Sequence, residues 1–268
     1  TMADVFDRYM REIAPTKSKR SYENNVKEVR YLRAAFGEMQ PQMISPQAIY
    51  FYMDHRALSS KIGANREKAL LSHVINYAIR WGLCSTNPCR EVKRFTEKPR
   101  DRYVEEWEFQ AFKAHASDLI AAFMQFALLT ALRVGDILAM RLDQIHDDAV
   151  HVTESKTGRR KEIERTPALD DAIERVRQVK RPIRSLYLFS NRRGQPYTYG
   201  GFKSNWDRAM ASAVEKGILN ERFNIHDLRR KAGSETHLEH AQRLLGHSNA
   251  QTTVKHYRVK PERVKPLR

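Results

Sequence analysis

In the first part of the chain, apolar positions recur at helical spacing between polar ones: Val5, Phe6, Tyr9 and Met10, then Val26, Val29, Tyr31, Leu32 and Phe36. From Asn65 to Trp81 one side carries Ala69, Leu70, Leu71, Val74, Ile75, Ala78 and Ile79. The run ends at Gly82, a residue suited to the position just past a helix, and Asn87-Pro88 bars continuation. The stretch from Phe95 to Arg102 is polar, contains a proline and has no apolar period, so it reads as a linker. The expected organisation is a helical domain over 1–95, a linker over 96–102 and a second domain over 103–268.

The second block opens differently. Leu119 to Leu132 is nearly all apolar, which predicts a buried helix at the centre of that domain. Ala149-Val-His-Val-Thr153 alternates, Ser155-Lys-Thr-Gly158 has turn chemistry, and the residues from Lys161 to Thr166 can return as a partner strand. A β-hairpin with Lys156 near its tip is expected. After Tyr187-Leu-Phe189 and a loop over Asn191–Pro196 the helical pattern resumes, and the basic residues 258–268, with two prolines, read as an extended tail. The fold class is therefore mostly α with a small β-sheet, an N-terminal helical domain preceding a mixed α+β domain.

Composition narrows the function. Of 268 residues, 48 are Lys or Arg against 32 Asp or Glu, a formal net charge of +16. Both blocks share the basic excess, which points to a polyanionic partner. No apolar run is long enough to cross a bilayer, and no basic-then-apolar leader is visible at the N-terminus. Cys84 and Cys89 form a lone C-x₄-C without a second pair, poor spacing for zinc and no disulfide framework, so a reducing cytoplasm is the expected setting.

Four short patterns stand in order on the second block: Thr130-Ala-Leu-Arg133-Val-Gly-Asp136, Ser155-Lys156-Thr-Gly, His226-Asp-Leu-Arg229, and Leu244-Leu-Gly-His247 followed by His256-Tyr257. Singly, each has an ordinary explanation. Arg133 could cap a helix or pair with Asp136, His226 and Arg229 could open a helix, Gly246-His247 could close one, and Lys156 could be a solvated turn residue. Together, in this order, they resemble the tyrosine recombinases, the site-specific DNA recombinases that include phage integrases. The resemblance covers nearly all of 103–268, and the leading block resembles the family's SAM-like core-binding domain.

The resemblance implies that Arg133 and Arg229 are the two catalytic arginines, Lys156 the hairpin lysine, His226 and His247 the active-site histidine positions, Tyr257 the nucleophile and Asp136 a bracing acid. It departs from the family pattern twice. The interval from Arg229 to His247 is shorter by roughly one helical turn, and Tyr257 lies one residue farther from His247 than usual, with His256 in the customary place. A trimmed connection and an irregular or bulged nucleophile segment are therefore expected.

The residue types fit the chemistry. Cleaving a phosphodiester builds negative charge on non-bridging oxygens, which two guanidiniums can clamp with paired donors. A phenol becomes a good nucleophile once an imidazole takes its proton, and an ammonium can protonate the departing deoxyribose oxygen. Exchange of one phosphodiester for a phosphotyrosyl ester conserves energy, so no nucleotide cofactor is expected, and no carboxylate cluster for a metal pair is apparent. By resemblance the partners are double-stranded DNA at paired recombination sites, three further copies in a homotetramer, and accessory DNA-bending or directionality proteins, in the service of phage or mobile-element integration and excision. A type IB topoisomerase-like enzyme and a non-catalytic DNA-binding regulator of the same fold are the alternatives.

Overall fold

A computed structural model describes residues 1–98, 100–261 and 266. Most of the basic tail expected over 258–268 lies outside the described residues. The chain divides into two compact units, Thr1–Lys98 and Pro99–Arg268.

The first unit is helical throughout. Helix α1 (Met2–Glu12) starts at a capping box between Thr1 and Asp4, α2 (Lys19–Phe36) at Ser18, and α3 (Pro46–Arg80) at Ser45 with Pro46 in its first turn. Most of the face predicted from periodicity packs: Phe6, Tyr9, Leu32, Phe36, Leu71, Val74 and Ile75 form one core together with Ile49. Val26 and Tyr31, expected on the same face, are instead exposed, because the stripe of α2 that packs runs through Val29, Leu32 and Phe36 and leaves them to its side. Helix α3 is broken at Ser60, whose backbone is extended (φ −162°, ψ 103°) and whose hydroxyl accepts the Gly63 amide, recapping the second half. Ser59-Ser60 followed by Gly63 is the local signal for it, since serine suits a cap and glycine weakens a helix. At the far end Gly82 takes φ +75°, and the amides of Gly82 and Leu83 close back on Ile79 and Ala78. Asn65 holds both backbone groups of Phe95 and also donates to Glu97, so residues 95–97 are fastened to α3.

The second unit begins with α4 (Glu106–His115), α5 (Asp118–Thr130) and the single-turn α6 (Val134–Leu138). Strands β1 (Ala149–Thr153) and β2 (Arg160–Glu164) pair antiparallel with Val152 opposite Lys161. Five helices follow: α7 (Pro167–Gln178), α8 (Tyr199–Glu215), α9 (Ile225–Ser234), α10 (Leu238–Leu245) and α11 (Ala250–Tyr257). The fold is mostly helical with a two-stranded sheet.

The apolar run expected to be buried is α5. Phe123, Met124 and Phe126 sit with Phe112, Phe189, Phe202, Trp206 and Phe223 in an aromatic-rich core. Each such ring contributes on the order of 2 kcal/mol by leaving water. Residues 100–104 belong to this unit: Arg100 pairs with the buried Asp227, Arg102 with Glu108 and Glu221, and Val104 is fully buried. Among the described residues no helix is long and apolar enough to cross a membrane.

Candidate active site

Five chain segments of the second unit meet at one place, and each is delivered there by a local feature of the sequence. The first is the end of α5. Ala131 closes that helix in the left-handed conformation (φ +46°), which turns the chain so that Arg133 caps α6. The Ala131 carbonyl is thereby aimed away from its own helix and accepts a hydrogen bond from Nη1 of Arg229.

The second is the hairpin. Asp136 is buried, and its Oδ1 accepts from both the amide (3.0 Å) and the hydroxyl (2.6 Å) of Ser155. It braces the turn and does not pair with Arg133. That arginine instead donates from Nη1 to Oε2 of Glu154 at 2.6 Å. Glu154 is fully buried, also accepts from Thr157 Oγ1 (2.7 Å), and has the Lys161 ammonium 2.7 Å from Oε1, an ion pair without hydrogen-bond alignment. Burial pushes the Glu154 carboxyl upward, but the adjacent Lys161 ammonium and the bonds from Arg133 and Thr157 outweigh it and hold the pKa at about 2. Lys161 in turn donates to the Leu244 carbonyl at 2.9 Å.

The third segment is α9, whose first turn is fixed by Asp227 accepting the Asn224 amide at 2.8 Å. Helical spacing then puts His226 and Arg229 on one face. Arg229 is only 2% exposed; besides Ala131 it donates from Nη2 to the Leu245 carbonyl at 2.6 Å, and its Nε is buried without a hydrogen-bond partner among the described residues.

The fourth is the end of α10, where the carbonyls of Leu244 and Leu245 each take a cation, as the negative end of a helix favours. Gly246 ends this helix with φ +69° in a space that admits no side chain: a Cβ there would stand 2.6 Å from Glu154 Oε1 and 2.7 Å from Lys161 Cε. His247 follows directly, and its Nδ1 is 2.8 Å from the hydroxyl of the buried Thr253.

The fifth is α11, which carries Tyr257 as its last residue. The expected irregularity is not found, because the helix continues unbroken through Tyr257 and only Arg258 departs from it. Helices α9 and α10 are joined by Glu235, Thr236 and His237. The Tyr257 hydroxyl lies 3.3 Å from Nε2 of His226, its ring centroid 4.7 Å from that of His247 and 5.6 Å from the Arg229 guanidinium carbon. His256 makes no hydrogen bond among the described residues.

Both imidazoles are neutral at pH 7. His226 is exposed by surface area, yet the protein atoms gathered around its ring desolvate it, and this, followed by the charges of Arg229 and Arg230, lowers its pKa to about 4. Burial and then Arg229 and Arg133 bring His247 to about 4 as well. A neutral imidazole 3.3 Å from a phenol is placed to accept its proton, and the two arginines beside it are placed to hold an anion.

Of the residues expected from sequence, Arg133, His226, Arg229, His247 and Tyr257 are thus brought together, and Asp136 stands behind the hairpin. Lys156 is not in contact with them; it is exposed at the turn with no hydrogen-bond or ion-pair partner among the described residues. Sequence reasoning missed Glu154 and Lys161. The stretch from Lys161 to Thr166 read only as a partner strand, and the burial of Lys161 comes from the end of α10, which is remote in sequence.

The chain's second unit matches the model described as the phage integrase family over residues 103–263, more than half of the chain. The chain is 28% identical over 173 residues to a shufflon-specific DNA recombinase of Escherichia coli, covering 62% of this chain and 41% of that one. It is 25% identical over 273 residues to the tyrosine recombinase XerD of Listeria monocytogenes serotype 4b (strain F2365), covering 92% and 90%. The chain therefore spans less than half the length of the first relative and nearly all of the second. In fold it is similar to a lambda integrase dimer bound to a COC′ core site, with a TM-score of 0.80, 19% identity and 98% of each chain covered. With the motif residues gathered as described and the family model matched across the unit that holds them, the chain belongs to the phage integrase family.

Proposed function

We propose that the chain is a site-specific DNA recombinase that cleaves and rejoins DNA through a 3′-phosphotyrosyl link. The observation that carries this reading is the placement of the Tyr257 hydroxyl 3.3 Å from His226 Nε2, beside Arg229 and His247. In the forward step Tyr257 Oη bonds to the scissile phosphorus while the bond from phosphorus to the 5′-oxygen breaks. His226 takes the phenolic proton, Lys156 gives a proton to the departing oxygen, and Arg133 and Arg229 hold the non-bridging oxygens as charge builds. Glu154 fixes Arg133, and His247 supports the tyrosine ring and the phosphate side of the site. Rejoining runs the same step backward with a 5′-hydroxyl from another strand, so the number of phosphodiester links is conserved and no ATP is required.

The partner is double-stranded DNA, which accounts for the +16 charge. The first unit acts as the core-binding domain and the second as the catalytic domain, working as a homotetramer on paired sites, assisted by accessory DNA-bending or directionality proteins. Integration and excision of a phage or mobile element is the biological role, and the bacterial cytoplasm, at the nucleoid, its place.

The test is a suicide-substrate assay. Nicked duplexes tiling the DNA that flanks the gene are incubated with the protein in EDTA and resolved on a denaturing gel. A covalent adduct that Tyr257→Phe abolishes and His256→Ala retains is the expected result. Salt-sensitive binding without any adduct overturns the reading in favour of a DNA-binding protein without strand transfer.

A further inference from the structure

We propose that Ser234 is a positioning residue for the nucleophile, fixing the main chain at Tyr257 against the helix that carries His226 and Arg229; this rests on the reading of Tyr257 given above. A serine hydroxyl has one proton to donate and two lone pairs to accept with. At Ser234, which is 8% exposed, all three are used on one distant segment. Its Oγ donates to the Tyr257 carbonyl at 2.7 Å and accepts the amides of Val259 at 2.9 Å and Lys260 at 3.4 Å.

That expenditure is unusual. A serine near the end of a helix commonly bonds back to a carbonyl of its own helix, whereas Ser234, the last residue of α9, leaves its helix altogether. The carbonyl it serves is one that α11 does not satisfy, because Tyr257 ends that helix, the residue four further on is Pro261, and no backbone amide among the described residues reaches back to it. The same hydroxyl therefore satisfies an orphaned acceptor and stops the chain from swinging as it leaves α11.

Gly233 makes the second half of the device. A Cβ at this position would stand 3.2 Å from Tyr257 Cβ, 3.3 Å from the Tyr257 carbonyl oxygen and 2.9 Å from Leu245 Cδ1. The two helices thus approach backbone to backbone at the nucleophile, and two consecutive residues of α9 define where Tyr257 stands. Since α9 is a rigid ten-residue helix with His226 in its first turn, the distance from phenol to imidazole is set by this contact as much as by the tyrosine rotamer. Ser234 touches no reacting atom. It acts through the placement of Tyr257, and a displacement near 1 Å in such geometry costs up to about a hundredfold in rate.

The experiment measures the single-turnover rate of adduct formation at saturating nicked duplex, and the Kd for the same duplex, in wild type, Ser234→Ala, Ser234→Thr and Tyr257→Phe, with thermal melting of each. Ser234→Ala is expected to slow adduct formation at saturation by about tenfold or more while leaving Kd within about twofold. Ser234→Thr, which keeps the hydroxyl, restores the rate to within about threefold of wild type. The proposal is overturned if Ser234→Ala reacts at the wild-type rate, if Ser234→Thr is as slow as Ser234→Ala, or if the loss lies in Kd or in melting alone. Absence of a Tyr257-dependent adduct in wild type brings down the nucleophile reading itself, a result distinct from wild-type reaction with an unimpaired Ser234→Ala.

Discussion

Helix α9 and the β1–β2 hairpin each bring positive charge to the second unit, and they hold it in opposite ways. Arg229 on α9 is buried and donates to two carbonyls from two other segments, Ala131 and Leu245. Lys156 on the hairpin turn is exposed and unpaired among the described residues, although the base of the same hairpin is locked by Glu154 and Asp136. A guanidinium that must bind developing charge gains from being fixed before the reaction, since nothing then has to reorganise. On the proposed reading, in which Lys156 protonates the leaving group, an ammonium left unpaired on a solvent-exposed turn is free to approach that oxygen. The comparison separates preorganised charge from delivered charge, and the two make different demands on stability.

The sharpest way to break it is Arg229→Ala. Two buried carbonyls lose a charged donor, and bonds to charged groups contribute about 1.5–3 kcal/mol each, so the loss of stability is expected to be about 3 kcal/mol or more. Adduct formation is expected to fall by at least about 10³-fold, since a transition-state donor and the neighbouring geometry go together. Melting and the adduct assay on one preparation check both. Lys156→Ala is the counterpart: a rate loss of about 10²–10⁴-fold, as for removal of a general acid, with no change in melting. A lowered melting temperature for Lys156→Ala would show that the turn is structural and dissolve the contrast.

Glu154→Gln tests the joint between the two regions. It leaves Arg133 loosely held and Lys161 as a buried ammonium, with 9% of its side chain exposed, facing no carboxylate. Breaking one side of a buried ion pair costs about 3–5 kcal/mol, and a loss near the lower end is expected because the Leu244 carbonyl still accepts from Lys161. Double substitution with Lys161→Met should recover part of that stability, read from urea midpoints, while leaving the rate impaired through Arg133.

How far the sequence reached follows from the range of the interactions. Helix faces, the buried run of α5, the hairpin and the Gly82 stop depend on neighbours within a turn or a strand, and periodicity exposes them. Arg133, His226, Arg229, His247 and Tyr257 were legible because their types and order suit one reaction. Glu154, Lys161 and Ser234 were not, since each takes its meaning from a segment far along the chain: Lys161 from α10, Ser234 from the chain after α11, and Glu154 from Arg133 and Lys161 together. Lys231 makes the same point. It is a lysine on an amphipathic helix, yet fully buried, bonded to Glu235, Glu106 and the Val104 carbonyl.

A milder perturbation is acid. His226 and His247 have folded pKa values of about 4, below the ordinary histidine value of 6.5. The unfolded chain therefore binds more protons than the folded one between those limits, and stability falls as pH drops from about 6.5 toward 4. Above pH 6.5 these residues make stability independent of pH. With His226 as the proposed base, neutral to well below pH 6, the adduct rate is expected to hold down to about pH 5 and to decline toward 4. A decline centred near 6.5 would show that neither burial nor the neighbouring arginines shift these imidazoles.

The smallest effect is expected at Ala131, where the preorganised side of the comparison rests on one backbone angle. Holding an alanine at φ +46° costs about 1–2 kcal/mol, which a glycine would recover. Against this, Ala131→Gly removes a buried methyl from the small cluster with Ala232 and Leu245, worth about 0.8 kcal/mol, and frees the unfolded chain by about 0.4–1 kcal/mol. These contributions nearly cancel, so melting should move by no more than about 1 kcal/mol equivalent and the adduct rate should hold, because the carbonyl still points at Arg229. Ala131→Val disfavours that angle far more strongly, since a β-branched residue rarely takes positive φ. It should behave as a weaker Arg229→Ala, losing rate and stability together, since the carbonyl that receives the guanidinium is what it displaces. If Ala131→Val keeps the rate while losing stability, the arginine does not depend on that carbonyl for its placement, and the preorganisation attributed to α9 lies in the Leu245 bond alone.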